Sequence, residues 1–423
     1  MASAFLSPIW HPCTQHKDHE FIPPICISSA KGVYLYDEKG KGYIDCISSW
    51  WVNLFGHSHP YINSKLYEQV QKLEHVLLAG FFHEGIMNYS QRLLAKTNFE
   101  FQKCFYADNG SSAIEVALKM SFHKNLIIGQ KRHKFLTLEN SYHGETLGAL
   151  SVGDVGLYRD TYTPLLFEVL SIQVPYDSHT IPKALQDLEN LLRNEGTQIS
   201  AFILEPFVQC AGGMKIYPKE FLEQACQMCK NYGIDIIFDE IAVGFGRLGS
   251  LFAYEQTGIV PDFLCLSKGI TAGYLPLSVV LTHNRIFEVF YDEYESKKAF
   301  LHSHSYTGNA LAIACANATL DLFEQEDILS CNILKREVIL SCLLELESFS
   351  CVENIRSKGM IFAFDLCNLP YKRAGIEFYQ RALKEGLLLR PLGNTIYFMP
   401  PFIISEEEIK KVFEGIKRVL ASL

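Results

Sequence analysis

IDIIFDEIAVGFGRLGSLFAYEQTGIVPDFLCLSKG (234–269) carries the decisive pattern of this chain. Two short apolar runs, Ile234–Asp239 and Phe263–Ser267, read as strands, and each ends on an ionisable residue, Asp239-Glu240 and Lys268. Runs this short, rich in β-branched and aromatic residues, suit strands covered on both faces. Upstream, an amphipathic stretch from Pro218 to Tyr232 reads as a helix, with proline in its first turn and Gly233 at its stop. Further strands are expected at Lys103–Ala107, His133–Leu138 and Ala201–Phe207, with a helix from Ser111 to Lys124. Strand–helix–strand alternation predicts an α/β fold around a mostly parallel, doubly wound sheet.

The ends of the chain have another texture. Residues 28–47 read as a hairpin, YLY and YIDCI joined by DEKGKG. Residues 376–423 read as a helix (376–385), a strand (395–399) and a last helix opened by the capping box Ser405-Glu406-Glu407-Glu408. Both termini are therefore expected to build one smaller α+β domain, from residues 1–55 and 326–423, beside a large domain of residues 56–325. A length of 423 residues accommodates two or three domains.

Composition excludes several classes. Hydrophobic residues are 48% and charged residues 20%, the balance of a folded protein. The net charge of −9 and the lack of a basic stretch argue against nucleic acid or an anionic membrane as partner. No apolar run reaches the roughly 18 residues of a spanning helix. MASAFLSPIWHP (1–12) lacks the basic and apolar regions of a secretory signal. Thirteen scattered cysteines read as reduced thiols, so the expected location is cytoplasmic.

In open parallel sheets, ligands bind beyond the carboxyl ends of the strands. Five expected strands lead there into polar groups: Asp108-Asn109-Gly110-Ser111-Ser112, Asn140-Ser141-Tyr142-His143-Gly144, Glu205, Asp239-Glu240 and Lys268. Gly110 and Ser111 open a helix, where free amides make an anion cup that suits a phosphate. Asp239 is an anion able to hold a protonated ring nitrogen. Lys268, in an apolar pocket, is an amine able to form a Schiff base. Tyr142 is placed to stack on a ring. Together these fit pyridoxal 5′-phosphate.

Other motifs carry less. Gly244-Phe-Gly246-Arg-Leu-Gly249 has the spacing of a dinucleotide loop, but its strand ends too early and no helix opens at the third glycine. It reads as a loop against the site, with Arg247 as an ion-pair partner. Cys226 and Cys229 read as core thiols one helical turn apart. His57/His59 and His302/His304 read as turn and pocket histidines, and no metal site is expected.

The stretch 236–281, with ADNGSSAIEVALKM (107–120) and SYHGETLGALS (141–151), resembles the class III pyridoxal-phosphate-dependent aminotransferases. IWHPCTQHKD (9–18), SSWWVNLFGHSHP (48–60) and LRPLGNTIYFMPPFII (389–404) are similar to the branch that aminates 8-amino-7-oxononanoate in biotin synthesis. The resemblance implies fold type I and a homodimer with shared active sites. It implies Lys268 as Schiff-base lysine and proton carrier, Asp239 at the pyridinium, Tyr142 on the ring, and Gly110 and Ser111 at the phosphate. Ser305 stands where the family supplies a phosphate-binding threonine from the other subunit. Trp50, Tyr142, Lys268, Ser303 and Arg390 are the implied substrate contacts, with Arg390 at the oxo-acid carboxylate. S-adenosyl-L-methionine is the implied donor. Where many relatives read HPYT this chain reads HPCT, so Cys13 alters the pocket wall and leaves lysine as an alternative donor. A different ω-amino-acid transaminase, acting on ornithine or 4-aminobutyrate, is the second enzyme reading.

Overall fold

The structure, a computed structural model, describes residues 8–423. Residues 1–7, part of the stretch read for an export signal, lie outside the described residues. The centre of the molecule is a seven-stranded sheet. In spatial order its strands are Lys103–Ala107, Ser278–Thr282, Phe263–Leu266, Asp235–Asp239, Ile199–Leu204, Lys134–Leu138 and Leu170–Ile172. All run parallel except Ser278–Thr282, which is antiparallel to both neighbours. That strand and Leu170–Ile172 have no counterpart in the sequence reading.

Alternation along the strands splits the core in two. Phe135, Ile203, Ile237, Phe263 and Val280 pack on one face with Ile114, Ala117 and Leu118 of the helix Gly110–Ile127. Leu136, Phe202, Phe238 and Leu264 face the other side, with Leu188, Phe221, Cys226 and Cys229. Burial on both faces is why the strands read as continuous apolar runs. It also explains Cys226 and Cys229, which are free core thiols in the helix Lys219–Asn231.

The termini meet in smaller sheets. Ile27–Lys31, Tyr34–Asp37 and Gly42–Asp45 form an antiparallel sheet, and Leu387–Leu388 adds to it in parallel beside Ile44 and Asp45. Ile27–Lys31 extends the expected hairpin by one strand. Val352–Lys358, Ile361–Leu366 and Thr395–Phe398 make a three-stranded sheet. The last helix, Glu406–Ala421, carries the expected capping box: Ser405 Oγ accepts from the Glu408 amide, and Glu408 accepts from the Ser405 amide. No helix among the described residues is long and apolar enough to cross a membrane.

Candidate active site

Six strands of the central sheet point the same way, so the residues after Ala107, Leu138, Leu204, Asp239 and Leu266 converge on one edge. They line a cavity of about 210 Å³ that contains Gly110, Ser111, Tyr142, Glu205, Asp239 and Lys268. Trp51 closes it from the N-terminal segment.

The anion cup follows from helix geometry. Asn109 caps the helix Gly110–Ile127 by accepting from the Ser112 amide at 3.0 Å, which leaves the Gly110 and Ser111 amides without intrahelical acceptors. Ser111 Oγ accepts from the Thr146 amide at 3.1 Å, tying the cup to the loop after Leu138. The space admits no added side chain. A Cβ on Gly110 would come within 2.9 Å of Ile241 Cγ2, and one on Gly144 within 2.3 Å of Ser111 Oγ.

Asp239 ends its strand buried, with one oxygen accepting from the Ile241 amide at 3.0 Å. The other oxygen lies 2.7 Å from His143 Nδ1. His143 Nε2 is buried without a partner among the described residues. Glu205, four per cent exposed, accepts from the amides of Tyr142 (3.1 Å) and Cys210 (3.0 Å). Burial, reinforced by the charge of Asp239, pushes its pKa up to about 8. Glu205 therefore favours its neutral form at pH 7, beside an Asp239 held by two partners, the Ile241 amide and His143.

Lys268 leaves its strand in a left-handed conformation, φ +46°. Its Nζ sits 5.1 Å from the centre of the Trp51 ring. Desolvation lowers its pKa, opposed by the charges of Asp239, Cys210 and Glu205. Tyr142 donates its hydroxyl to Glu145 at 3.1 Å, and burial raises its pKa.

A second cleft adjoins the first, lined by Cys13, Trp50, Tyr158, Arg390 and Tyr397. The Arg390 guanidinium lies 5.6 Å from the Trp50 ring centre, and its Nη2 donates to the Cys13 carbonyl. Cys13 Sγ is 3.8 Å from Glu145 Oε1. Trp50 and Trp51 belong to an unusual turn. Ser48, Ser49, Trp50 and Trp51 all have positive φ, from +46° to +75°. Each such non-glycine residue costs on the order of 1 kcal/mol, and strain of this kind gathers at functional sites.

The structure thus brings Lys268, Asp239, Tyr142, Gly110 and Ser111 into one cavity, with Trp50 and Arg390 in the adjoining cleft. It does not bring Ser303 and Ser305 there: both are exposed in the segment before the helix Ala310–Gln325, where the Ser305 carbonyl bonds His75 Nε2 at 2.8 Å. Three roles escaped the sequence reading, two of them belonging to residues it had noted, His143 and Trp51. His143 is the partner of Asp239, Trp51 is the wall nearest Lys268, and Asp45 accepts from the turn that carries the tryptophans. An Asx residue three positions before a helix-like turn was the available signal for Asp45.

Arg247 corrects an expectation. Among the described residues it makes no ion pair: its guanidinium, one per cent exposed, donates to the carbonyls of Pro400 (2.7 Å) and Asn53 (2.9 Å) and lies over the Phe402 ring. Its hydrogen-bond acceptors are neutral, and burial lowers its pKa to about 9 against the opposing charge of Asp45. The glycines around it form turns and open no helix, unlike a dinucleotide loop. Among the described residues no group of three or more His, Cys, Asp or Glu is placed to hold a metal ion.

Comparison with known proteins agrees with this geometry. The family model for class III aminotransferases matches residues 14–420. An adenosylmethionine-8-amino-7-oxononanoate aminotransferase of Helicobacter pylori is 54% identical, over 100% of this chain and 98% of its own. The Geobacter sulfurreducens protein of the same name is 38% identical, over 97% and 95%. Among solved structures, the enzyme of that name from Methanocaldococcus jannaschii superimposes with a TM-score of 0.92 at 33% identity, over 97% of each chain. An amine transaminase from an uncultivated Pseudomonas species, in its PLP-bound form, gives 0.92 at 28% identity, over 98% and 99%. The expected fold, PLP-dependent transferase type I, is the observed one. Strand-end chemistry, topology and near full-length similarity lead to one conclusion: this chain belongs to the class III aminotransferase family.

Proposed function

We propose that this chain is a pyridoxal 5′-phosphate-dependent transaminase of biotin synthesis, converting 8-amino-7-oxononanoate to 7,8-diaminononanoate with S-adenosyl-L-methionine as amino donor. The observation that carries the chemistry is Lys268: an amine of lowered pKa, in one cavity with Asp239 and the anion cup. The choice of substrates is supported by the names of the relatives in Helicobacter pylori and Geobacter sulfurreducens.

The residues present fit the cofactor. Gly110 and Gly144 leave a cradle that any Cβ would fill. Its size suits a phosphate against the Gly110 and Ser111 amides. When bound, pyridoxal 5′-phosphate supplies an electron sink for the charge left on a substrate carbon that loses a proton. Asp239, oriented by His143, keeps a ring nitrogen protonated, and Tyr142 covers the ring face. Lys268 Nζ, its pKa lowered by desolvation, takes the proton from the donor carbon that bears the amine. In the second half of the cycle it returns a proton to C7 of the acceptor. Trp50, Ser303 and Arg390 bind the acceptor, Arg390 at its carboxylate. Glu205, uncharged at pH 7, leaves Asp239 as the charge opposite the ring nitrogen.

Ser303 and Ser305 act from a second subunit in a homodimer with shared active sites. Support comes from the exposed apolar side chains that flank them in the chain, Leu301 and Tyr306. The enzyme works in the cytoplasm. Its large domain spans residues 56–325, and residues 1–55 and 326–423 form the small one.

Cys13 favours a second reading in which lysine is the donor and the acceptor is unchanged. Its small thiol stands against Glu145, a carboxylate available to a donor ammonium group. A half-reaction screen decides. Cofactor-loaded protein is mixed separately with S-adenosyl-L-methionine, lysine, ornithine and 4-aminobutyrate, and loss of the cofactor's visible band is followed. Conversion with S-adenosyl-L-methionine is expected. Conversion with lysine alone moves the donor, and conversion only with ornithine or 4-aminobutyrate overturns the assignment.

A further inference from the structure

The left-handed turn Ser48–Trp51 sets the wall between the two clefts, yet it contains no glycine to make that conformation easy. Something outside the turn must hold it. Its internal bonds are those of one helical turn: Trp51 N to Ile47 O at 2.9 Å and Val52 N to Ser48 O at 3.0 Å. The amides at its start are satisfied by Asp45. One Asp45 oxygen accepts from the Ser49 amide at 2.9 Å and the Ile47 amide at 3.3 Å. The other accepts from Ser49 Oγ at 2.7 Å and lies 2.9 Å from His57 Nε2.

The histidine is itself oriented. Asn53 Nδ2 donates to His57 Nδ1 at 3.3 Å, which places the ring proton on Nε2 and aims it at Asp45. The Asp45 side chain is fully buried; its four donors compensate its charge together with the neighbouring Arg247, whose guanidinium donates to the Asn53 carbonyl. Reversing the hand of the turn would swing Trp50 and Trp51 about the turn axis. Trp51 would leave Lys268, and Trp50 would leave Arg390.

We propose that Asp45, seated by His57, is the positioning residue that holds Ser48–Trp51 left-handed and thereby aims Trp50 and Trp51 at the substrate. Neither residue touches the cofactor cavity; both act through the tryptophans. The substrate half of this proposal rests on the transaminase reading, whereas the conformational half does not.

The test uses the full-length, cofactor-loaded enzyme in a Trp10→Phe background, which leaves Trp50 and Trp51 as the only tryptophans. Asp45→Asn keeps the shape but offers an amide N–H₂ where two donors now converge. Acrylamide quenching of tryptophan fluorescence is expected to at least double, because Trp51 is four per cent exposed in the intact turn. KM for the oxo-acid acceptor is expected to rise more than tenfold, with a smaller change in kcat. His57→Ala should reproduce both effects more weakly, and His57→Gln, which retains a donor, should restore them. A folded Asp45→Asn protein with wild-type quenching and KM overturns the proposal. Should that variant fail to fold, the same two readings on His57→Ala against His57→Gln decide. Wild-type protein that does not use the acceptor defeats the substrate assignment alone, since the quenching comparison still judges the clamp.

Discussion

The two clefts of this site are built in opposite ways. The floor around Lys268 is made of residues that directly follow central strands, each held within a few positions of a paired backbone. The wall around Arg390 is assembled from Cys13, Trp50 and Arg390, positions separated by hundreds of residues and joined by a strained turn and loop carbonyls. A rigid floor suits proton transfer, where small displacements of the reacting atoms are costly. A wall made of separate segments suits substrate choice, because one segment can change without disturbing the chemistry. Cys13 is such a change.

Substitutions separate the two. On the floor, Lys268→Ala is expected to retain cofactor but lower kcat about 10⁴-fold, read by single-turnover spectroscopy. Ordinary turnover by that variant would remove Lys268 from proton transfer. Asp239→Asn is expected to lower kcat by about 10²–10³-fold with an unchanged circular dichroism spectrum. A near-normal rate would mean that His143 and Glu205 suffice at the ring nitrogen. On the wall, Arg390→Ala should raise KM for the acceptor about 10- to 100-fold, the worth of a charge-assisted bond, while KM for the donor stays put. Equal rises for both substrates would erase the distinction between floor and wall.

The smallest expected effect is on stability. Burial lifts the pKa of Glu205, and separately of Glu240, to about 8 from an ordinary value of 4.5. Native protein therefore holds these protons more tightly than unfolded chain. The stabilisation is complete below about pH 4.5 and is lost as pH rises through about 8. The thermal midpoint of cofactor-free protein should fall over that window. Glu205→Gln should flatten the fall, leaving the part due to Glu240. Identical pH slopes for the two proteins would show that Glu205 is ionised in the native state.

Legibility followed the same division. Asp239 and Lys268 stood out because an ionisable residue closing an apolar strand needs a reason, and the helix cup was visible as Asn109-Gly110-Ser111. His143 was on view in SYHGE but carried no mark of its own, since its importance is a contact with a strand 96 positions away. The antiparallel strand Ser278–Thr282 went unread because direction is a property of pairing, not of an apolar run. Arg247 was assigned an anionic partner on charge alone, whereas Phe402 and two carbonyls surround it. The left-handed turn had no glycine to announce it, and the Asp45 carboxylate and Met399 carbonyl that bond it lie outside it.

By itself, the amino-acid sequence determined the alternation of strands and helices, the edge where polar groups collect and the residues proposed to act there. These are local: they follow from periodicity, from caps and from which side chain comes next after a strand. Tertiary structure alone decided the protonation of Glu205, the seating of Asp239 by His143, the hand of the Ser48–Trp51 turn and the meeting of Cys13 with Arg390. Each depends on burial or on a contact between distant segments, and neither desolvation nor distance is written in the order of residues.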